Sequence, residues 1–272
     1  MEGIVGTAVS VAGHSHVKNA KPCQDSSLFW GNRNYSAVVV CDGHGGEKHF
    51  RSNIGAGLAV EVCRESAGKF VNGVTREKEV NMLPQMIESY GKHIVFSWRE
   101  KTMAHYEQNP FTYDELSDFS SDEAAEISLN PYIAYGTTLL FSIITKKNCF
   151  LIKLGDGEIR VKHGDEMFNC TPAEEEFMFG RTDSLCNSNA SEKIKYSILD
   201  NGDVSSVIIT SDGVYNSFNN NDSFERFVKI IDSNGNEMNE LAEMLKSSLT
   251  ELSYRGSGDD MSVAILKRYN QK

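Results

Sequence analysis

Four apolar stretches of the chain each bring an aspartate to one end, beside glycine. The first, Ser36-Ala37-Val38-Val39-Val40-Cys41, is valine-rich, reads as a strand buried on both faces, and stops at Asp42-Gly43-His44-Gly45-Gly46. Residues 150–154 run into Gly155-Asp156-Gly157, and residues 207–210 into Ser211-Asp212-Gly213. Near the C-terminus the order inverts, with Gly258-Asp259-Asp260 preceding the strand-like residues 261–266. One Asp-Gly pair after a strand is an ordinary turn. Four carboxylates converging on one place would repel one another unless cations sat between them. A polynuclear metal centre and four ordinary turns are therefore the two readings. In the first, the Gly43 carbonyl can point the same way as Asp42.

The elements that must deliver these residues follow from periodicity and turn chemistry. Residues 3–11 read as an opening strand, and a polar loop over 13–22 leads to Cys23-Gln24-Asp25. Asp25 then begins another strand, with Asn32-Arg33-Asn34 as the turn back into the Asp42 strand. His14 and His16 are two apart, a spacing that suits metal ligands on one strand face. With no cysteine or third histidine nearby, ordinary hydrogen-bonded loop histidines are the better reading. A helix is expected over 47–67, its small residues Gly55, Ala56, Gly57 and Ala59 implying close packing. A second helical segment over 79–107, offset near Pro84, carries Met86, Ile87, Tyr90, Ile94 and Trp98 at core spacing. Residues 108–130 are acidic and serine-rich and read as a surface loop, and 132–145 read as β, with Tyr135-Gly136-Thr137-Thr138 as a bulge or close approach. Residues 169–195, with Thr171-Pro172 and Glu174-Glu175-Glu176, read as an irregular flap; 222–233 and 236–252 read as amphipathic helices. Hairpin-spaced strands and helices in two clusters predict an α+β fold of mainly antiparallel sheets, as one domain over 1–272.

Composition narrows the function. With 272 residues, 40% hydrophobic, 24% charged and a formal net charge of -11, the chain can bury a substantial core and makes a poor partner for nucleic acid. No apolar run reaches the length of a membrane span, and Met1-Glu2-Gly3 opens no signal peptide, so no membrane partner and a cytoplasmic location are expected. The cysteines at 23, 41, 63, 149, 170 and 186 form no Cys-x-x-Cys pair and read as buried thiols in a reducing compartment. Dinucleotide and P-loop fingerprints are absent.

Taken in order, Cys23-Gln24-Asp25, Val40-Cys41-Asp42-Gly43-His44-Gly45-Gly46, Tyr135-Gly136-Thr137-Thr138, Leu154-Gly155-Asp156-Gly157, Thr210-Ser211-Asp212-Gly213-Val214 and Gly258-Asp259-Asp260-Met261-Ser262 resemble the metal-dependent protein phosphatases, the PPM-type or type 2C serine/threonine phosphatases. The resemblance implies two packed antiparallel β-sheets flanked by helices, a four-layer αββα sandwich. It implies two Mg²⁺ or Mn²⁺ ions sharing Asp42, with Asp212 and Asp259 on one ion and the Gly43 carbonyl on the other. Asp156 falls where some bacterial members bind a third ion. Oxygen-only ligation suits hard ions of this kind, and the lack of clustered Cys and His disfavours zinc. A water bridging the ions would attack the phosphoryl group of phosphoserine or phosphothreonine in a phosphorylated protein substrate. His44 stands where the family has its proposed acid for the leaving group, and an ordinary imidazole near pKa 6.5 suits that work.

Three departures qualify the resemblance. Gln24 replaces the usual acidic residue, which weakens the hold on the second ion and leaves Asp25 or water to compensate. The arginine that many members use to grip phosphate falls at Ala20, so Lys18, Lys21 or Arg33 would have to act instead, without a bidentate fork in the case of lysine. Asp259-Asp260 stands for an aspartate-asparagine pair. Two alternatives to an active protein phosphatase follow: a catalytically weak relative that binds phosphoproteins or regulates, and another metal-dependent phosphohydrolase. Metal-dependent turnover separates the first from an enzyme; the missing basic stripe argues against a polyanionic substrate for the second.

Overall fold

The computed structural model describes residues 3–164, 166–169, 182–234 and 237–269. Its strands are β1 (Ile4–Val11), β2 (Ser26–Gly31), β3 (Tyr35–Cys41), β4 (Leu139–Thr145), β5 (Asn148–Leu154), β6 (Glu158–His163), β7 (Glu166–Asn169), β8 (Lys195–Asp200), β9 (Ser206–Thr210) and β10 (Met261–Arg268). They form two five-stranded antiparallel sheets, ordered β1-β10-β9-β6-β7 and β2-β3-β4-β5-β8. The helices are α1 (His14–Lys18), α2 (Ser52–Arg76), α3 (Leu83–Gln108), α4 (Tyr113–Leu116), α5 (Ser121–Leu129), α6 (Ala190–Lys193), α7 (Asp212–Tyr215), α8 (Asn221–Asn234) and α9 (Met238–Arg255).

Alternation along the strands sets the layers. In β3, Val38 and Val40 face the other sheet, where they meet Ile159, Val161, Val207, Ile209, Ala264 and Leu266. Its alternate residues Ala37, Val39 and Cys41 face α2 and α3 and pack with Ala56, Ala59, Ile87, Ile94 and Trp98. On the far side, Ile208, Val263 and Ile265 meet Phe224, Val228, Leu241, Leu245 and Leu249 of α8 and α9. A period of two apolar residues on both faces gives every central strand two cores, each buried side chain contributing about 1.5–3 kcal/mol. The result is the expected α+β sandwich of four layers. None of the described cysteines, at 23, 41, 63, 149 and 186, forms a disulfide, and no helix among the described residues is long and apolar enough to cross a membrane.

Several local expectations are corrected. The acidic stretch 108–130 is not a loop but holds α4 and α5, each opened by a reciprocal capping box, Thr112 with Glu115 and Ser120 with Glu123. Residues 131–135 form a 3₁₀ turn rather than the first part of a strand, which begins only at Leu139. The helix expected from 47 starts at Ser52, after a 3₁₀ turn, and runs on to Arg76. Gly55 alone explains the small-residue face at closest range, since a Cβ there would lie 1.8 Å from the Tyr135 carbonyl oxygen, whereas nothing crowds Gly57. His14 and His16 lie in α1 and not on a strand. β8 ends the passage read as irregular and completes the second sheet against β5. Cys170, Thr171-Pro172 and Glu174-Glu175-Glu176 lie outside the described residues.

Candidate active site

Strand register brings the aspartates to one end of the sandwich. Ser26 pairs with Cys41, so Asp25 and Asp42 adjoin at the same end of the second sheet. In the first sheet Thr210 pairs with Val263 and with Glu158, which sets Asp212, Asp259 and Asp156 beside one another. Gly155-Asp156-Gly157 is the crossing from β5 in one sheet to β6 in the other. Gly155 makes that crossing at φ 105°, a left-handed conformation that glycine adopts without strain.

The loop after β3 is braced by the threonine pair that reads as a close approach in sequence. The Asp42 amide donates to Thr138 Oγ1 at 2.9 Å, while the Asp42 carbonyl accepts from the Thr138 amide at 2.8 Å and from Thr137 Oγ1 at 2.9 Å. At Gly43 a Cβ would lie 2.4 Å from the Gln24 carbonyl oxygen and 2.9 Å from that of Ser52, so only glycine fits.

The carboxylates feel one another. Burial pushes Asp25 up to about 8, with Asp260 and Asp259 adding repulsion and the Ser262 and Ser211 hydroxyls opposing it. Neither Asp25 oxygen has a hydrogen-bond partner of good geometry. Asp42 is raised well above the carboxylate range, by burial first and then by Asp25 and Asp212. Burial likewise raises Asp212 and Asp259, each also repelled by Asp156. Asp156 itself accepts a hydrogen bond from the Thr182 hydroxyl. Among the described residues, no three His, Cys, Asp or Glu side chains are drawn tightly enough together to enclose an ion as they stand. An oxygen-only donor set, an orphaned buried carboxylate and neighbours held above their usual pKa nonetheless fit hard divalent cations, which would relieve both desolvation and repulsion.

His44 sits at the same mouth, its amide donating to the Gly136 carbonyl at 3.1 Å. Burial and the neighbouring His49 push its imidazole down to about 4, so the ring is neutral at pH 7 rather than ordinary as expected. Both histidines line a cleft of about 690 Å³ with Thr182, Asp183, Asn187 and Lys193. Lys18 and Lys21 are exposed on the α1 segment and make no ion pair among the described residues. Arg33 lies in the β2–β3 turn, at the opposite end of β3 from Asp42 and roughly 20 Å away at about 3.3 Å per residue. It is removed from the candidates for gripping phosphate.

Sequence reasoning missed two groups. Asp260, treated as a mild change, is buried and accepts from the Gly13 and Gln24 amides, each at 2.6 Å, and meets His16 Nδ1 at 2.9 Å. It thereby ties the loop carrying Asp25 to the start of β10. No local pattern announces contacts between residues so far apart in the chain. The second group is His49 with Arg51, whose guanidinium grips Glu115 at 2.6 and 2.8 Å and donates to Tyr135 Oη at 2.8 Å. Here the Thr-x-x-Glu spacing at 112–115 offered a signal for the helix, though not for its partner.

No curated protein matches the chain in sequence. Among solved structures it is similar to a bacterial serine phosphatase at 13% identity and TM-score 0.61, covering 99% of this chain and 100% of that one. It is also similar to the serine/threonine phosphatase Stp1 from Staphylococcus aureus, at 13% identity and TM-score 0.60 over 98% and 96% of the two chains. A third similar structure is the catalytic domain of the serine threonine protein phosphatase PstP in complex with two manganese ions, at 15% identity and TM-score 0.56 over 97% of each chain. These likenesses speak to the fold. The family model of protein phosphatase 2C matches residues 12–250, a span that takes in Asp25, Asp42, Asp156 and Asp212, and on that match the chain belongs to the protein phosphatase 2C family.

Proposed function

We propose that the protein is a Mn²⁺- or Mg²⁺-dependent serine/threonine phosphatase acting on phosphorylated proteins. The observation that carries this reading is the gathering of strand-end aspartates from both sheets around Asp25, a buried carboxylate with no hydrogen bond of good geometry, in a chain of this family. Asp42 would be shared between two ions, with Asp212 and Asp259 on one, the Gly43 carbonyl and Asp25 on the other, and Asp156 available to a third. Bound divalent ions supply neutralisation of the phosphoryl oxygens and an acidified water for in-line attack.

The chain's own residues do the rest. Thr137 and Thr138 hold the Asp42 backbone so that its carboxylate stays at the sheet edge. Asp260 fixes the approach of the Gln24-Asp25 segment through the Gln24 amide. His44 borders the cleft; its ring is neutral as it stands, so it would first take up a proton from solvent and then pass it to the serine or threonine oxygen as the P–O bond breaks. Lys18 and Lys21 stand on the segment that leads to Asp25 and would attract the phosphate as point charges. The polar cleft beyond His44 is where the peptide flanking the phosphoresidue would lie.

The test is release of phosphate from phosphoserine, phosphothreonine and phosphotyrosine peptides with Mn²⁺, Mg²⁺ or excess chelator. Turnover of the first two that needs the metal and survives thiol alkylation is the expected result. Binding without turnover in every metal would identify a regulatory module instead, and full activity in chelator would remove the metal from the chemistry.

A further inference from the structure

Ser184 is buried in the wall of the cleft and has no role in the scheme above. Its hydroxyl oxygen lies 3.1 Å from the Thr137 amide nitrogen and 3.2 Å from the Thr137 carbonyl oxygen. An amide can only donate and a carbonyl only accept, so the hydroxyl accepts from the first and gives its one proton to the second. The next residue closes the same bracket, since the Leu185 amide donates to the Thr137 carbonyl at 2.9 Å. Both main-chain groups of Thr137 are thus held from one side, and its amide meets no other acceptor among the described residues. On the other side the Thr137 hydroxyl donates to the Asp42 carbonyl, and Gly43 pairs with Thr137 as an isolated β-bridge. The turn that carries Ser184 is itself fixed. Its amide donates to Asn187 Oδ1 at 2.7 Å, and the Arg99 guanidinium, on α3, donates to the Asn187 carbonyl at 2.5 Å.

We propose that Ser184 is a positioning residue for Asp42, acting through Thr137 to hold the Asp42 main chain, and with it the carboxylate, in place for the ions. This rests on the reading of Asp42 as the carboxylate that two ions share. The bonds from Thr137 and Thr138 fix Asp42 only relative to the threonine pair, and that pair precedes β4, which begins at Leu139. The bracket from Ser184 and Leu185 is what anchors the pair to the rest of the fold. Thr137 and Ser184 are 0% and 2% exposed, so water cannot replace a bond lost between them. A ligand side chain held in its binding position before the ion arrives gives up less freedom on binding, and groups standing behind metal ligands set affinity in this way.

Amide hydrogen exchange of the metal-free protein tests the bracket without any turnover. In the wild type the Asp42, Thr137 and Thr138 amides should be protected. Ser184→Ala should speed their exchange about 10-fold or more, while the amides that pair β1 with β10 keep their rates. In calorimetric titration, Ser184→Ala should weaken Mn²⁺ binding about 10-fold. It should add little in a Thr137→Val background, which has already lost the hydroxyl on the Asp42 carbonyl. Wild-type Asp42 and Thr138 amides that exchange like those of an open loop overturn the proposal even if no variant folds. So does a Ser184→Ala protein whose β1–β10 amides speed up equally, because the role is then one of general stability. Unchanged Mn²⁺ affinity, or a loss fully additive with that of Thr137→Val, overturns it as well. A wild type that binds Mn²⁺ but turns over no phosphopeptide would overturn the phosphatase reading alone and leave the positioning of Asp42 standing.

Discussion

At the scale of single residues, the imidazole of His44 links geometry to rate. It is buried beside His49, yet it opens onto the cleft, so it can serve only a group that enters there. If it protonates the leaving oxygen, the need for it depends on how poor that leaving group is. His44→Ala should lower kcat about 10²- to 10⁴-fold on a phosphoserine peptide and far less on an aryl phosphate, whose oxygen departs readily without a proton. Steady-state rates on both substrates decide it; equal losses would make His44 structural. Gly43 belongs to the same scale, because the crowding carbonyls of Gln24 and Ser52 leave no room for a side chain beside Asp42.

Among the elements, the α4–α5 segment is fastened to the segment that follows the Asp-Gly-His-Gly-Gly loop. Glu115 accepts from Arg51 Nε at 2.6 Å and from the other guanidinium arm at 2.8 Å, and also accepts from the Thr112 amide at 2.8 Å. Lys48 adds pairs with Glu123 and Glu126 at 3.4 and 3.2 Å, exposed enough to contribute little. The Arg51 guanidinium is buried, and its bidentate grip draws Glu115 down from 4.5 to about 2. A carboxyl whose pKa is depressed on folding adds stability above the unfolded value, and that gain disappears as pH falls through the folded one. The stability gap between wild type and Glu115→Gln should therefore be full above about pH 5 and shrink steadily as pH drops from 4.5 towards 2. Urea titrations at a series of pH values measure it. A gap that stays constant with pH would mean that the charge of Glu115 adds nothing, and solvent around its partly exposed side chain limits its size in any case.

Over the whole molecule, the two sheets are held apart by apolar side chains and joined at one end by acidic ones. Val38, Val40, Leu140, Val207 and Ile209 fill the space between them, while Asp25, Asp42, Asp156, Asp212 and Asp259 collect where the strands stop. Without cations this end is a site of repulsion; with them, on the proposed reading, it would become a clasp between sheets. Ligand binding to the folded state alone stabilises it by about 2.7 kcal/mol at one hundred times Kd. Mn²⁺ should therefore raise the melting temperature of the wild type. Asp42→Asn removes the carboxylate proposed to be shared, so it should melt no lower than wild type in chelator and lose most of the Mn²⁺-induced rise. Thermal melts with calorimetric titration of Mn²⁺ check both arms. Two ions bound as tightly as in wild type, or a variant unfolded in either condition, would refute the sharing.

The sequence alone determined the central apolar strands and the acidic ends of four of them, because valine-rich runs and Asp-Gly punctuation are local signals, whereas β6, β7 and β8 carried no such signal. The run of Val38, Val39 and Val40 could be read as doubly buried, and Asp42, Asp156, Asp212 and Asp259 could be placed at strand ends. Ordered motifs made the family legible too. The tertiary structure alone decided which ends meet. That follows from register, Ser26 against Cys41 and Thr210 against Val263, and register is a property of paired strands rather than of either one. It also decided that Asp260 reaches back to Gly13 and Gln24, that Arg51 finds Glu115, and that Arg33 lies at the wrong end of its hairpin. His44 looked like an ordinary imidazole until its burial beside His49 was known. Desolvation and charge coupling depend on neighbours brought together by folding, so no window of sequence contains them.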